Sequence, residues 1–380
     1  MQYRTLGKTR LEVSALGFGT MRLPVIDRDA KAVDEPLAIE MIRYAIDHGV
    51  TYADSAFGYH GGNAERVLGK ALADGYREKV LVATKLPTWD VNAIEDCDRI
   101  FNEQLERLRT DRIDCYLLHC LSRDRWPKMR DLGVVDWLRR LREAGRIAEF
   151  GFSFHDPLEV FKQIVDAEDW AVCQIQYNIV NEDVQAGTEG LKYAADKGIG
   201  VVVMEPLFGG TLAAAPDEVQ AIWTEAGRPN GVDAALQWLW NKPQVSLVLS
   251  GMSTMEQVVQ NVASACASGV ASLSQADQAL IARVQEAYKA FAPVPCTKCG
   301  YCMPCPNGVD IPAVFELYND GTVFSGSLGL CKNLYKMIPE SARADKCIAC
   351  GECEDKCPQH IAISEQMPKV HEAMTEGSDS

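Results

Sequence analysis

Eight of the fourteen cysteines in this 380-residue sequence fall into two short runs. CTKCGYCMPCP carries Cys296, Cys299, Cys302 and Cys305, and CIACGECEDKCP carries Cys347, Cys350, Cys353 and Cys357. The second run matches the iron–sulfur pattern CxxCxxCxxxCP in every spacing; the first is one residue short in its last gap. Three closely spaced thiolates cap three irons of one cubane, while the fourth points away and is placed for the other cluster. That rule assigns Cys296, Cys299, Cys302 and Cys357 to one [4Fe-4S] cluster and Cys347, Cys350, Cys353 and Cys305 to the other. Paired zinc sites are the alternative, because CxxC pairs also build zinc knuckles. Four cysteines this close, each run ending in Cys-Pro, favour clusters. Cys97, Cys115, Cys120, Cys173, Cys266 and Cys331 lack metal spacing and read as buried thiols. His360 follows the second run, but four cysteines already complete each cubane.

A second set of reactive side chains lies far upstream. Asp54 ends VTYAD, Lys85 ends VLVATK and His119 ends CYLLH, while Tyr59 sits just past Asp54 in DSAFGYH. Taken singly, each reads as a solvated loop residue or a satisfied core polar group. Together they suit carbonyl reduction, which needs a hydride on carbon and a proton on the developing alkoxide. Tyr59 can give that proton. A free phenol has a pKa of about 10, so a nearby cation must favour its ionised form, and Lys85 held by Asp54 provides one. His119 can hydrogen-bond the substrate oxygen. No flavin or pyridoxal site is evident, which leaves a nicotinamide as the natural hydride donor.

The elements that must position these groups follow from the periodicity. Short β-branched runs at Ala15–Phe18, Val50–Ala53, Val80–Thr84, Ile113–Leu118, Ile147–Phe152, Ala171–Ile175, Gly200–Met204 and Ser246–Leu249 predict strands. Amphipathic segments at Leu37–Asp47, Ala64–Ala73, Ala93–Arg109, Met129–Arg142, Pro157–Val165, Ala186–Asp196 and Met255–Ala265 predict the helices between them. Eight strands alternating with helices predict an α/β protein with a closed (β/α)8 TIM barrel, whose reactive groups sit at the C-terminal strand ends. The first strand lies in LGFGTMRL without a GxGxxG, which weakens an open dinucleotide-binding sheet. A further helix, Ser274–Phe291, stops at Ala-Pro-Val-Pro. The domain division expected is therefore a barrel over 1–290, a Pro-containing linker over 291–295 and a small, mainly helical cysteine domain over 296–370. Residues 371–380 form an acidic tail read as flexible. Helices are expected at Ile311–Tyr318 and Leu328–Met337, between the cysteine runs.

A formal net charge of −15 argues against nucleic acid and anionic membrane as partners. The first twenty residues lack a secretory pattern and no apolar stretch approaches membrane-span length, so a soluble, cytoplasmic protein is expected. In that compartment clustered cysteines point to metal rather than disulfides.

Several of these pieces coincide with a known family. DSAFGYH, VATKLP, DCYLLH, QIQYN and GMSTMEQVVQN occur in the order found in aldo-keto reductases, and the stretch from Met1 to about Ala290 resembles that family. The whole chain is similar to aldo-keto reductases of the iron–sulfur-fused type, with a C-terminal 4Fe-4S ferredoxin-like domain. The resemblance implies a catalytic tetrad of Asp54, Tyr59, Lys85 and His119. It also implies a cofactor pocket that Asp54 shares. Gly19, Thr20 and Met21 would line the nicotinamide ribose and pyrophosphate, with Ser153 and Gln174 facing the carboxamide. Met204, Glu205 and Leu207 would occupy the strand whose residue stacks on the ring. Gly251, Met252, Ser253, Thr254, Gln257, Gln260 and Asn261 would surround the adenosine. Four positions depart from the family's habit: Phe154 follows Ser153 in Ser-Phe-His, Met204 stands where an aromatic ring is common, and Gly251 and Gln257 replace the basic residues that often bind a 2′-phosphate. NADP is favoured by family habit and NAD stays open.

Three functions fit these readings. The first is an NAD(P)H-dependent oxidoreductase acting on a small carbonyl or alcohol substrate, whose clusters exchange electrons with a partner protein. The second keeps the reductase and makes the clusters structural or oxygen-sensing. The third is an electron-transfer subunit with a non-catalytic barrel, against which the intact tetrad argues. Substrate walls are expected from the long connections Leu121–Leu132 and Phe208–Pro216, with Trp126 either in that wall or in the core.

Overall fold

The computed structural model describes all residues except Arg28, 291–292, 297–299, Tyr301, 324–327, Pro358 and 377–380. Cys299, part of the linker and the end of the acidic tail therefore lie outside the described residues. The chain divides into two compact units: Met1–Pro206 with Asp233–Ser274, and Leu207–Val232 with the chain from Gln275 onward.

The first unit opens with a short antiparallel hairpin, β1 (Tyr3–Thr5) and β2 (Glu12–Ser14). Eight parallel strands follow: β3 (Leu16–Gly19), β4 (Tyr52–Asp54), β5 (Leu81–Pro87), β6 (Ile113–Leu121), β7 (Ile147–Phe154), β8 (Val172–Gln176), β9 (Gly200–Met204) and β10 (Val245–Gly251). They close into a barrel in sequence order, with β10 pairing back to β3. The expected TIM barrel is therefore present. Strands buried on both faces are written as continuous apolar runs, and Val201, Val202 and Val203 are all fully buried.

The hairpin, which the sequence reading did not anticipate, packs at the N-terminal strand ends. Leu6 and Val13 are fully buried in one cluster with Tyr52, Ala83, Cys115, Leu117, Val172 and Leu247, and each such side chain contributes about 1.5–3 kcal/mol. Thr51 and Ser14 exchange two hydrogen bonds at the same end, each backbone N–H donating to the other's hydroxyl at 2.9 and 2.8 Å. The opposite, C-terminal end is left to the reactive residues.

The helix expected over Met129–Arg142 is two helices, Arg125–Asp131 and Val134–Glu143, because Gly133 between them takes φ 72. No described helix is long and apolar enough to cross a membrane.

In the second unit, helix Asp217–Glu225 lies against helix Gln275–Ala290. Arg228 pairs with Asp277 at 2.5 Å and Arg283 with Glu225 at 2.6 Å. Val294, in the segment expected as linker, is buried, and the Asn319 side chain holds its N–H and carbonyl at 3.0 and 2.7 Å. Helices Ile311–Val323, Leu328–Met337 and Ile363–Thr375 pack on one another. The last of these continues past residue 370, where the tail was expected to begin.

Gly7 tests how tightly the hairpin is seated. It takes φ 56, and a Cβ there would lie 2.2 Å from the Gly200 nitrogen. Gly7→Ala should cost about 2–4 kcal/mol through backbone strain and overpacking, read as a lower urea midpoint with an unchanged slope.

Candidate active site and cysteine cavities

Strand register places the reactive groups. Asp54 ends β4 beside Gly19 of β3 and Ala83 of β5, Lys85 on β5 lies opposite Leu117, and Pro87 opposite His119 of β6. The fully buried Lys85 ammonium donates to Asp54 Oδ1 and Oδ2 at 2.7 and 2.8 Å and to the Ser55 carbonyl at 2.7 Å. Its nitrogen stands 5.1 Å from the centre of the Tyr59 ring, and the Tyr59 and His119 rings meet edge to face at 6.1 Å. The four residues expected as a tetrad are thus brought together.

Burial alone would lower the Lys85 pKa, but Asp54 and Tyr59 outweigh it and hold the ammonium above its ordinary range. Burial pushes the Tyr59 phenol up to about 12, with Lys85 pulling it back. His119 is held well below its usual value, by burial first and then by the charge of Lys85. Its ring is therefore neutral at physiological pH, and its Nδ1 is buried without a hydrogen-bond partner.

A polar network behind the site fixes the loop that carries Tyr59. Glu65 Oε1 accepts from Thr84 Oγ1 at 2.6 Å and Gln104 Nε2 at 2.7 Å, and Gln104 also donates to the Lys85 carbonyl at 3.1 Å. Arg107 reaches Glu65 Oε2 at 3.1 Å and donates to the Phe57 carbonyl at 2.8 Å, two residues before Tyr59. His60, which carried no signal in the sequence, accepts from the Leu23 N–H at 3.2 Å, and its Nδ1 lies 2.6 Å from the Ala30 carbonyl.

The residues expected around a nicotinamide are distributed unevenly. Ser153 and Gln174 stand side by side across β7 and β8. Ser153 Oγ accepts from the Cys120 N–H at 2.8 Å, and Gln174 Nε2 reaches Met204 Sδ at 3.6 Å. Gln174 Oε1 is buried without a partner, so a carboxamide N–H placed there would satisfy it. Thr20 donates to Ser55 Oγ at 2.9 Å beside Gly19, while Met21 is exposed. Glu205 takes φ 54 and has a buried, unpartnered Oε2, and burial raises its pKa to about 7.

Gly19 pairs with Gly251 across β3 and β10. The loop after Gly251 folds over the start of helix Met255–Cys266: Thr254 Oγ1 accepts from the Gln257 N–H, Gln257 Oε1 from the Ser253 N–H, and Ser253 Oγ donates to the Arg22 carbonyl. Gln260 bonds Glu256, and the buried Asn261 bonds Ser250 Oγ. Met252 is fully buried, and Leu207 belongs to the second unit.

Three side chains that the sequence did not single out border this site. Trp89 follows β5, is 44% exposed and tilts onto His119 at 4.9 Å. Arg125 lies in the Leu121–Leu132 connection, and Arg22 packs its side-chain stem along Gly251. Trp126 is core instead, edge-on to Trp170 at 5.7 Å.

The cysteines line two separate cavities. One is lined by Cys296, Cys302 and Cys357. The other is lined by Cys305, Cys347, Cys350 and Cys353. Each cavity thus receives the last cysteine of the other run. Ile311 and Ile363 border both.

The barrel with its buried Lys–Asp pair and the paired cysteine cavities define an oxidoreductase fused to an iron–sulfur module. The chain belongs to the aldo/keto reductase family, which residues 15–286 match, and residues 295–362 match a 4Fe-4S dicluster domain. It is 28% identical over 290 residues to L-galactose dehydrogenase of Arabidopsis thaliana, covering 69% of this chain and 88% of that one. It is 30% identical to aldo-keto reductase YhdN of Bacillus subtilis over 224 residues, 56% of this chain and 64% of the relative. Among solved structures, aldo-keto reductase AKR11C1 from Bacillus halodurans in its holo form superposes with a TM-score of 0.63 at 26% identity, covering 75% of this chain and 96% of that one.

Arg107→Met would strand the Glu65 carboxylate in the interior and free the Phe57 carbonyl. A loss of about 3–5 kcal/mol is expected in urea unfolding; a change below 1 kcal/mol would show that this network does not hold the loop.

Proposed function

We propose that this chain interconverts a carbonyl compound and an alcohol with NADP(H), Tyr59 carrying the proton, and that its cysteine runs hold two [4Fe-4S] clusters that exchange electrons with a partner protein. The observation that carries the barrel half is the placement of Tyr59 between a buried, fully paired lysine and a neutral imidazole. A bound nicotinamide supplies the hydride. Tyr59 gives its proton to the oxygen on which charge develops, and the phenolate left behind is stabilised by the Lys85 ammonium. Neutral His119 shares the binding of that oxygen, and Asp54 keeps Lys85 charged and aimed. Gln174 and Ser153 would hold the carboxamide, for which the unpaired Gln174 oxygen argues. Arg22 beside Gly251 supplies the cation that Gly251 and Gln257 lack for a phosphate-bearing dinucleotide.

For the cysteine half, the cavity linings support crossed ligation. Cys296, Cys302 and Cys357 would share one cluster with Cys299, while Cys305, Cys347, Cys350 and Cys353 hold the other. The clusters supply one-electron carriers. Cys350 and its neighbour Ile348 are exposed, which suits electron exchange with a partner at the second cluster.

Tyr59→Phe should lower kcat for carbonyl reduction by about 10²–10⁴-fold while leaving the fold intact. With the phenol pushed up to about 12, its protonated form persists far above neutrality. Reduction should therefore keep its proton donor past about pH 10, and alcohol oxidation should climb through that pH without levelling. Levelling near pH 10 would show the phenol at its free value rather than raised by burial.

Anaerobically prepared protein should carry about eight irons per chain, falling to about four in single cysteine variants. Cys357→Ser should remove the same paramagnetic signal as Cys302→Ser, and Cys305→Ser the same as Cys353→Ser. Loss of one signal in both Cys302→Ser and Cys305→Ser would overturn the crossing.

A further inference from the structure

One cation at the mouth of the barrel has no assigned task. Arg125 stands half-buried at the start of helix Arg125–Asp131, and its Nη1 donates to the Cys120 carbonyl at 3.0 Å, one residue past His119. Its guanidinium carbon lies 5.5 Å from the centre of the Trp89 ring, and that ring is itself 4.9 Å from His119. Arg125, Trp89 and His119 therefore form one continuous wall.

The charges along that wall are unbalanced. His119 is kept neutral, and burial pushes His155, which also faces Arg125, down to about 4. Lys85 is charged, but it is engaged by Asp54, Ser55 and Tyr59. Asp156 lies within electrostatic reach of Arg125 without pairing with it, and its Oδ2 accepts from the Arg123 N–H at 2.6 Å. Among the described residues no carboxylate makes an ion pair with Arg125. A guanidinium offers a planar fork of donors, and a carboxylate fills it with two parallel charge-assisted bonds. The Trp89 face holds the fork in plane and supplies an apolar strip between it and His119.

We propose that Arg125 is the specificity-determining residue of this barrel, and that the substrate is a small oxo acid with a carboxylate a few atoms from the reacting carbonyl. The carbonyl sits at Tyr59 and His119, the carbon chain lies along Trp89, and the carboxylate is gripped by Arg125. This rests on the carbonyl chemistry proposed above; the balance of that reaction is unchanged, because the carboxylate is bound and not transformed.

The test compares succinate semialdehyde with its methyl ester in the full, cluster-loaded chain. A charge-assisted pair at this site corresponds to about 10- to 100-fold in kcat/KM. The unmutated protein should prefer the acid by that factor, and equal turnover of acid and ester would overturn the proposal without any variant. In Arg125→Gln the ratio of acid to ester should collapse toward one, whereas Arg125→Lys should retain part of it. An unchanged ratio in Arg125→Gln would also overturn it.

Calorimetric titration of glutarate, an unreactive dicarboxylate, separates this inference from the reading beneath it. Failure to reduce any aldehyde, with glutarate binding that is lost in Arg125→Gln, would remove the proposed reaction and leave the anion site standing. Glutarate binding that is equal in both proteins would remove the anion site whatever the turnover.

Discussion

A lysine ammonium taken wholly out of water is the constraint to which the rest of the barrel answers. Removing such an ion from solvent costs several kcal/mol, recovered only where every donor finds an acceptor. Lys85 meets that condition with both Asp54 oxygens and the Ser55 carbonyl. Those acceptors come from the end of β4 while Lys85 comes from β5, so the pair exists only if the two strands are in register. Gln104 holds the Lys85 carbonyl and Glu65, and Arg107 ties Glu65 to the loop leading to Tyr59. One uninterrupted chain of hydrogen bonds thus links a buried charge to the placement of a phenol.

The same end of the barrel concentrates backbone strain. His60, Cys120 and Glu205 all take φ between 50 and 55 without being glycine, a conformation that costs about 1 kcal/mol or more for a side chain with a Cβ. At Cys120 it directs one carbonyl to Arg125 and one N–H to Ser153. The hairpin end, where Leu6 and Val13 are fully buried, instead contributes apolar packing.

Much of this was legible in the sequence because the carriers of chemistry sit at the ends of strongly apolar runs. VTYAD, VLVATK and CYLLH each announce a strand and terminate in a polar group, so the strand pattern and the Asp54, Lys85 and His119 positions were read together. The hairpin escaped because its strands are three residues each and largely polar outside Leu6 and Val13. Gly133 broke a helix whose apolar spacing continues across it, since spacing does not register a left-handed residue. Glu65, Gln104 and Arg107 come from helices Asn63–Ala71 and Ile94–Leu108, where charged residues ordinarily read as solvated faces. Their meeting is a product of packing. Arg125 and Trp89 lacked a signal for the same reason: only the pairing of β5 with β6 brings the segments after them side by side.

The exchange of last cysteines between the two cavities has a topological consequence. Cys357 reaches back to the first run and Cys305 forward to the second, so the chain between them is a loop clasped at both ends. Closing such a loop costs conformational entropy once, and that single cost serves both cavities. Neither cavity can be completed by a nascent chain that has emerged only as far as its first run. The second run completes both cavities, and Ile363 at the start of the last helix borders each of them. Completion of the two cavities is in that sense a concerted event, because each needs a cysteine from both runs.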